Sequence, residues 1–230
     1  MGNIGGLNFY DFLTFPKTEK IMTGNILNTK GENVPYFLEL GFSRESLEDC
    51  EKWKNFINEI IVEYTEKNHD EKDYEKTLQD KIMMDDIKWN WPKKAFYYNT
   101  SKYNWFFLKT EDGTTQAVCL TSHPMKSILD ESNIFFIEYI ASAPRNRISL
   151  LYKREFEGIG TEIIKQVQIY FKKTYHYKYG FSLRSLPQAR GFYEKIGMVY
   201  FEEHNKDGLF FYEIDKDKVE LLLGETNVGN

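Results

Sequence analysis

The sequence predicts an α/β (α+β) fold with one central mixed β-sheet, preceded by a largely helical N-terminal extension. Apolar residues recur at intervals of three and four along residues 43–64 and again along 159–173, which is the period of an amphipathic helix. Between and after these segments, β-forming residues cluster in short runs bounded by turn residues. Runs joined by a tight turn alternate with a strand–helix–strand crossover, so the sheet should contain both antiparallel and parallel neighbours.

The N-terminal extension, residues 1–92, has two parts. Residues 1–42 mix Gly, Asn and aromatic residues without a sustained period, so we expect only loops and short strands there. From Ser43 the helical period is clear, and Ser43 itself is a suitable N-cap. A second and more polar stretch, 70–87, carries a thin apolar stripe and predicts another helix.

The predicted core comprises residues 93–217, and residues 218–230 are expected to form a C-terminal tail. An Asp112-Gly113 pair marks a hairpin turn because this dipeptide tolerates positive φ. The predicted elements, in chain order, are strands at 103–110, 115–122 and 133–142, a helix at 159–173, a strand at 179–183, a helix at 187–196, and strands at 198–203 and 209–214.

The composition excludes several classes of protein. Aromatic residues make up 17% of the 230 residues, far more than a disordered chain carries. No apolar run approaches the roughly 20 residues that cross a bilayer, and residues 1–6 lack the features of a signal peptide, so we expect a cytoplasmic protein. Cys50 and Cys119 are expected to be buried thiols, and the four histidines are dispersed, so we expect no metal site.

Charge is distributed unevenly along the chain. The net charge is −5, but residues 141–200 carry eleven Lys and Arg against four Glu, which gives +7. Residues 44–90 carry fourteen acids against eight bases, which gives −6. A positive segment attracts a polyanionic ligand. Coenzyme contacts or a solvated helix face explain it as economically as RNA does, so we do not expect a nucleic-acid partner.

The segment Glu155-Phe156-Glu157-Gly158-Ile159-Gly160-Thr161 opens a predicted helix. Its two glycines remove Cβ atoms where the first backbone N–H groups of the helix lack intrahelical acceptors. Such a terminus can hold a diphosphate. No Gly-Lys-Ser/Thr follows, so the segment is not a P-loop. On its own, the Gly-x-Gly equally fits a tight turn packed against a sheet.

A second segment, Ala189-Arg190-Gly191-Phe192-Tyr193-Glu194-Lys195-Ile196-Gly197-Met198, follows the next predicted strand. In this order and with one strand between them, the two segments resemble the Gcn5-related N-acetyltransferase (GNAT) superfamily. The family motifs are Gln/Arg-x-x-Gly-x-Gly/Ala and Ala-x-x-Phe/Leu-Tyr-Glu-Lys-x-Gly-Phe. The resemblance covers about residues 95–215, and the first motif departs from it in carrying Glu155, with Arg154 adjacent.

The resemblance implies a sheet whose middle strands, 133–142 and 179–183, splay apart, with acetyl-CoA (coenzyme A) as cosubstrate in the gap and no metal. The pantetheine arm would pair with the first of these strands. The segment 155–161 with its two glycines, the glycine loop, would hold the diphosphate. The long loop after that strand would turn Asn146 and Arg147 toward the substrate. The implied cofactor-binding residues are Tyr139, Ile140, Ala141, Ser142, Lys153, Arg154, Gly158, Ile159, Gly160 and Thr161.

The resemblance further implies an acyltransferase that moves acetyl from acetyl-CoA directly to a primary amine. An ammonium must lose a proton before it attacks, and Glu138, beside the implied thioester, is the candidate base, acting through a water. The alternative is a glutamate on the solvent side of the sheet. Tyr193 is the implied general acid toward the departing sulfur, and its alternative is a core aromatic beside Phe192.

Two other functions stay open at this point: a noncatalytic acyl-CoA-binding or protein-interaction module, and a tRNA-directed acetylating toxin. The extension would form a wall of the acceptor site or a homodimer contact. Its acidic charge suits a cationic small-molecule or protein amine, or belongs to an ordinary solvated helix. The sequence does not identify the acceptor.

Overall fold

The computed structural model describes residues 8–70, 76, 86, 88–149 and 151–224. Eight strands form one mixed sheet: β1 Glu19–Leu27, β2 Asn33–Leu40, β3 Tyr103–Thr110, β4 Thr115–Lys126, β5 Asn133–Ser142, β6 Phe181–Ser185, β7 Val199–Tyr200 and β8 Phe210–Ile214. The described helices of at least six residues are α1 Arg44–Asn68, α2 Trp91–Tyr97, α3 Ile159–Tyr175, α4 Arg190–Lys195 and α5 Lys216–Leu223. The strand order is β1-β2-β3-β4-β5-β6-β8-β7. In the described part of the chain, no helix has the length and apolar character needed to cross a membrane.

The prediction of a mixed sheet with flanking helices is confirmed. β3 and β5 have the predicted bounds, and α3 begins at the predicted residue. Gly113, in the hairpin turn between β3 and β4, has φ +86°, which explains the Asp-Gly pair. The helix that was predicted at 70–87 lies outside the described residues for almost all of its length.

Other segments differ from the sequence prediction. Residues 1–42 contain two strands of nine and eight residues, β1 and β2, rather than loops and short strands. The strand predicted at 198–203 is cut to the two residues of β7, because Glu202–His204 turn into a 3₁₀ helix. The helix predicted at 187–196 begins as a 3₁₀ turn, and only α4 is α-helical. The sequence prediction missed α2 and α5 altogether.

The chain divides into two compact units, and the first takes its residues from Met1–Thr100, Phe106–Val118 and Ala141–Gly160. In it β1 pairs with β2, and β2 pairs with β3, all antiparallel. A buried polar cluster joins α1 to these strands: Lys109 Nζ donates to Glu39 Oε1 at 2.8 Å and to Ser46 Oγ at 2.7 Å. The backbone N–H of Thr115 donates to Asp49 Oδ2 at 2.6 Å. These contacts fix α1 against the sheet.

The second unit takes its residues from Ser101–Trp105, Cys119–Ile140 and Thr161–Asn230. Here β5 and β6 are parallel, and β6 pairs antiparallel with β8. The Phe135 ring on β5 stacks on Phe171 of α3 and on Phe181 of β6, with centroids 4.3 and 5.6 Å apart. These ring contacts pack α3 against the parallel strands β5 and β6.

Candidate active site

The parallel pair parts midway along the sheet. Its register runs Phe135–Phe181, Phe136–Ser182 and Ile137–Leu183 and stops there, although β5 continues to Ser142 and β6 to Ser185. The parallel register between β5 and β6 therefore ends at Ile137. This parting confirms the splayed middle strands. The strand predicted at 179–183 lies at 181–185.

Glu138 is the first residue of β5 beyond the last paired position. Its side chain is half-buried, and its Oε1 accepts a hydrogen bond of 2.6 Å from the buried Ser122 Oγ on β4. The hydroxyl fixes one carboxylate oxygen, and the other accepts no hydrogen bond from the described residues. A carboxylate held in this way has an acceptor oxygen free for a water or an amine. The sequence prediction did not include Ser122, because nothing local in the sequence links it to a residue on the next strand.

Tyr193 lies on the two-turn helix α4 and is only 7% exposed. Its hydroxyl makes no hydrogen bond to any described residue. Burial raises the pKa of the Tyr193 phenol, with a smaller contribution from nearby Cys119, so the phenol is protonated at neutral pH. The neighbouring Phe192 is exposed instead, and the two rings meet edge to face at 5.2 Å. A buried phenol with an unengaged hydroxyl can donate a hydrogen bond to a ligand.

A polar network anchors α4 to β8. Tyr212 Oη donates to Glu194 Oε1 at 2.8 Å and accepts from Arg190 Nε at 3.0 Å. Tyr212 is fully buried, and its ring lies 6.2 Å from that of Tyr193. Because a helix of six residues has little stability of its own, these contacts determine where Tyr193 is held.

The glycine loop leads directly into α3. Gly158 has φ +73°, a left-handed conformation that favours glycine, and a Cβ built on it would meet no atom within 4 Å. The space beside this glycine is open. Ile159 as a whole is 2% exposed, so its side chain packs inside the protein and does not face a ligand. Gly160 and Thr161 follow in the first turn, where amides have no acceptor within the helix.

The charged residues before the glycines are mostly paired with one another. Arg154 forms an ion pair with Glu157, and its Nε donates to Glu157 Oε1 at 2.9 Å. Glu155, which stands where the family motif has Gln or Arg, lies 3.2 Å from Arg145 Nε. Lys153 is exposed and has no carboxylate partner among the described residues.

The end of β5 is held by Arg147. Its Nε and Nη2 donate to the Ser142 carbonyl oxygen at 3.0 and 2.8 Å, and its Nη1 donates to Asp86 Oδ1 at 2.7 Å. The Ser142 carbonyl therefore has both acceptor directions filled. Of the residues predicted to pair with a pantetheine arm, Tyr139 and Ile140 are half-buried and Ala141 is buried.

Asn146 does not face a substrate site, which corrects the expectation from sequence. It is 7% exposed; its Nδ2 donates to Gln116 Oε1 at 2.9 Å, and its Oδ1 accepts from the Phe156 N–H at 3.3 Å. The Asn146 side chain therefore connects β4 to the glycine loop through hydrogen bonds. Arg147 likewise binds the protein's own backbone and Asp86.

Two cavities lie elsewhere. One, of about 20 Å³, is lined mainly by α1, Trp89, Trp91 and Arg147, and the other, of about 310 Å³, lies where β5 and β6 begin, beside Asp130, Asp215 and Asp217. Neither is lined by Glu138, Tyr193 or the glycine loop.

The two cysteines are buried, as predicted, and burial raises the pKa of both thiols. Such thiols are poor nucleophiles because little thiolate forms at neutral pH. Within residues 8–70, 76, 86, 88–149 and 151–224, no group of three or more His, Cys, Asp or Glu side chains could hold a metal ion.

Comparison with known proteins gives structural likenesses alone. No family model matches the chain, and no curated protein matches it. Among solved structures, spermidine N-acetyltransferase from Vibrio cholerae in complex with CoA and spermine is similar with a TM-score of 0.46 and 14% identity, over 79% of this chain and 97% of that one. Tetrahymena GCN5 gives a TM-score of 0.39 and 9% identity over 70% and 87%. A bacterial toxin gives 0.43 and 14% over 63% and 83%.

Proposed function

We propose that the chain is a coenzyme A-dependent N-acetyltransferase that moves an acetyl group from acetyl-CoA directly to a primary amine. The observation that carries this proposal is the parting of β5 from β6 after Ile137–Leu183, with Glu138 at the point of parting. Beyond the end of that register, the backbone of β5 would bind an amide-containing chain such as pantetheine. The open glycine turn and the α3 N-terminus offer amides to a diphosphate.

The proposed residue roles follow from their surroundings. Glu138, oriented by Ser122, takes a proton from the amine, directly or through one water. The amine nitrogen then attacks the thioester carbonyl carbon, the C–N bond forms, and the negative charge on oxygen is stabilised by a backbone N–H near Ile140. The C–S bond breaks as Tyr193 gives its proton to the departing thiolate; the remaining excess proton on nitrogen leaves to solvent, and solvent reprotonates the Tyr193 phenol and takes the proton held by Glu138. The products are an N-acetyl amide and the free thiol of CoA.

Binding is the first test. Acetyl-CoA, CoA and ATP should be compared as ligands in thermal unfolding of the full chain. A ligand that binds only the folded state raises the free energy of unfolding by about 2.7 kcal/mol at 100 times its dissociation constant. Stabilisation by acetyl-CoA and CoA is expected. Stabilisation by ATP alone would refute the proposal.

Turnover is the second test. Release of free thiol from acetyl-CoA should be measured with a polyamine, an aminoglycoside and a lysine peptide as acceptors. Glu138→Gln and Tyr193→Phe should each lower kcat by about 10²–10⁴, whereas Glu131→Gln and Tyr175→Phe, both at exposed positions, should not. Binding of CoA without thiol release from any acceptor would favour the noncatalytic acyl-CoA-binding module.

The charge of the acceptor is a further part of this proposal. Several acids of α1 are paired with bases of the same helix, as in Arg44–Glu48, Lys54–Glu51 and Lys67–Glu63. Such pairs weaken the local field of each acid but leave the net negative charge of the segment unchanged. A preference for the polyamine that disappears at high salt would support a cationic acceptor.

A further inference from the structure

The tip of the β1–β2 hairpin contacts the loop that leads to the glycines. Thr29 Oγ1 donates to the Arg154 carbonyl oxygen at 2.8 Å, and the Thr29 N–H donates to the Glu155 carbonyl oxygen at 2.9 Å. Asn28 forms an isolated antiparallel β-bridge with Phe156. The contacts join residues about 125 positions apart in the chain.

The opposite side of the same peptide groups is also engaged. The Glu155 N–H donates to the Arg145 carbonyl oxygen at 2.9 Å, and the Phe156 N–H donates to Asn146 Oδ1 at 3.3 Å. In a trans peptide, the C=O of one residue and the N–H of the next point in opposite directions. The two successive peptide groups 154–155 and 155–156 are therefore each hydrogen-bonded at both ends. Thr29 binds their carbonyl oxygens, and the segment around Arg145 and Asn146 binds their N–H groups.

The hairpin tip is itself well ordered by local contacts. Asn28 Oδ1 accepts from the backbone N–H groups of Lys30 and Glu32, both at 2.9 Å, and Asn28 Nδ2 donates to Glu32 Oε2 at 2.7 Å. Gly31 has φ +83°, which closes the turn. These contacts therefore hold Thr29 in a fixed position at the tip of the hairpin.

The direction of the peptide dipoles in the glycine loop decides whether the loop attracts or repels a diphosphate. A carbonyl oxygen facing a diphosphate repels it, whereas an N–H group attracts it. Thr29 engages the carbonyl oxygens of Arg154 and Glu155 and fixes the backbone direction three residues before Gly158. The amides that follow are those of the turn and of the first turn of α3.

We propose that Thr29 is a positioning residue for diphosphate binding: it sets the direction of the glycine loop through the Arg154 and Glu155 peptides. The inference rests on the proposed function and extends it to the N-terminal hairpin. Thr29 does not touch the cosubstrate. Its effect passes through the loop backbone, so it acts on binding of the diphosphate and not on the acyl transfer step.

The test is a comparison of two acyl donors. In Thr29→Val, the side chain keeps its shape and loses its hydroxyl. We expect the KM for acetyl-CoA to rise about three- to tenfold, the effect of one hydrogen bond, with kcat unchanged. The KM for S-acetylpantetheine, which has no diphosphate, should not change. Thr29→Ser keeps the hydroxyl and should behave as the unsubstituted chain, as should Thr23→Val at an exposed position of the same hairpin.

Several results would overturn the inference. One is an unchanged KM for acetyl-CoA in Thr29→Val, and another is an equal loss with both donors. If Thr29→Val does not fold, amide hydrogen exchange in Thr29→Ala replaces it, and unaltered protection of the Glu155 and Phe156 amides would be decisive against the inference. Failure of the unsubstituted chain to bind CoA would instead remove the proposed function, and the inference with it.

Discussion

The buried cluster of Lys109, Glu39 and Ser46 makes a quantitative prediction about stability. The Lys109 and Glu39 side chains are 8% and 12% exposed, and their charged atoms are 2.8 Å apart. Ser46 Oγ accepts from Lys109 and donates to Glu39 Oε1 at 2.7 Å, so each charge has two partners. Removing one charge leaves the other buried without an opposite charge, and breaking a buried pair in this way costs about 3–5 kcal/mol. Because Ser46 keeps its bond to the remaining group, we expect the lower end, about 3 kcal/mol.

The assay is urea unfolding followed by tryptophan fluorescence for Lys109→Met, Glu39→Gln and the double variant. The double variant contains no unpaired buried charge, so it should lose no more stability than either single variant. Lys52→Met, whose charge is 70% exposed and lies 3.8 Å from Asp49, is the control and should change the unfolding free energy by less than about 1 kcal/mol. Losses that simply add in the double variant would refute the coupling between the two charges.

Three further predictions concern pH and helix capping. Because burial raises the pKa of Tyr193, kcat for thiol release should stay level up to at least about pH 10; a fall near pH 8 or 9 would exclude this phenol as the acid. Burial lowers the pKa of His123, so the unfolded state binds the proton more readily, and stability should be lost as pH falls from about 6.5. His123→Phe should remove that loss in urea titrations at pH 7 and 5, and an unchanged pH dependence would contradict this assignment. Asp215 Oδ1 accepts from the Lys218 N–H at 2.9 Å as the N-cap of α5, so Asp215→Ala should lower the unfolding free energy by about 1 kcal/mol, whereas Asp215→Asn should lose far less; equal losses would argue against the cap.

Much of the fold could be predicted because its signals are local. β5 and α3 are read from periodicity, and the turn at Gly113 is read from its dipeptide. α2 also has a local sequence signal: Asn90 Oδ1 accepts from the Lys93 N–H at 2.7 Å, and Pro92 occupies the first turn. The same is true of α5, which ends at Gly224 with φ +76°.

The β1–β2 hairpin could not be predicted with the same means. β1 alternates only weakly between exposed and half-buried positions, and its place in the sheet depends on pairing with β2. Gly24 illustrates the reason, since a Cβ there would lie 2.6 Å from the Tyr36 ring tip on the paired strand. A glycine in a strand is usually a weak point, and here only the cross-strand partner accounts for it.

For the candidate site, short sequence patterns predict which residues a ligand would touch, whereas the contacts that hold those residues in place are visible only in the structure. The glycine motif and Tyr193 belong to short patterns with fixed spacing. Ser122 and Arg147, in contrast, act through contacts with another strand and with a backbone carbonyl, and Thr29 acts across most of the chain. Residue type and spacing carry no information about such contacts, because many serines, threonines and arginines have identical local surroundings.

The charge of the glycine-loop region illustrates the same distinction. The +7 total of residues 141–200 already subtracts Glu155 and Glu157, and its positive charge is not concentrated beside the glycines, where three arginines are engaged with acids: Arg145 with Glu155, Arg147 with Asp86, and Arg154 with Glu157. Each pair leaves little net charge to act on a ligand at a distance. Within the described residues 141–160, Lys153 is the one cation without a carboxylate partner. If the loop binds a diphosphate, the backbone amides after Gly158 must therefore supply most of the attraction. The direction of that backbone, which the β1–β2 hairpin fixes, then matters more for binding than the number of basic residues nearby.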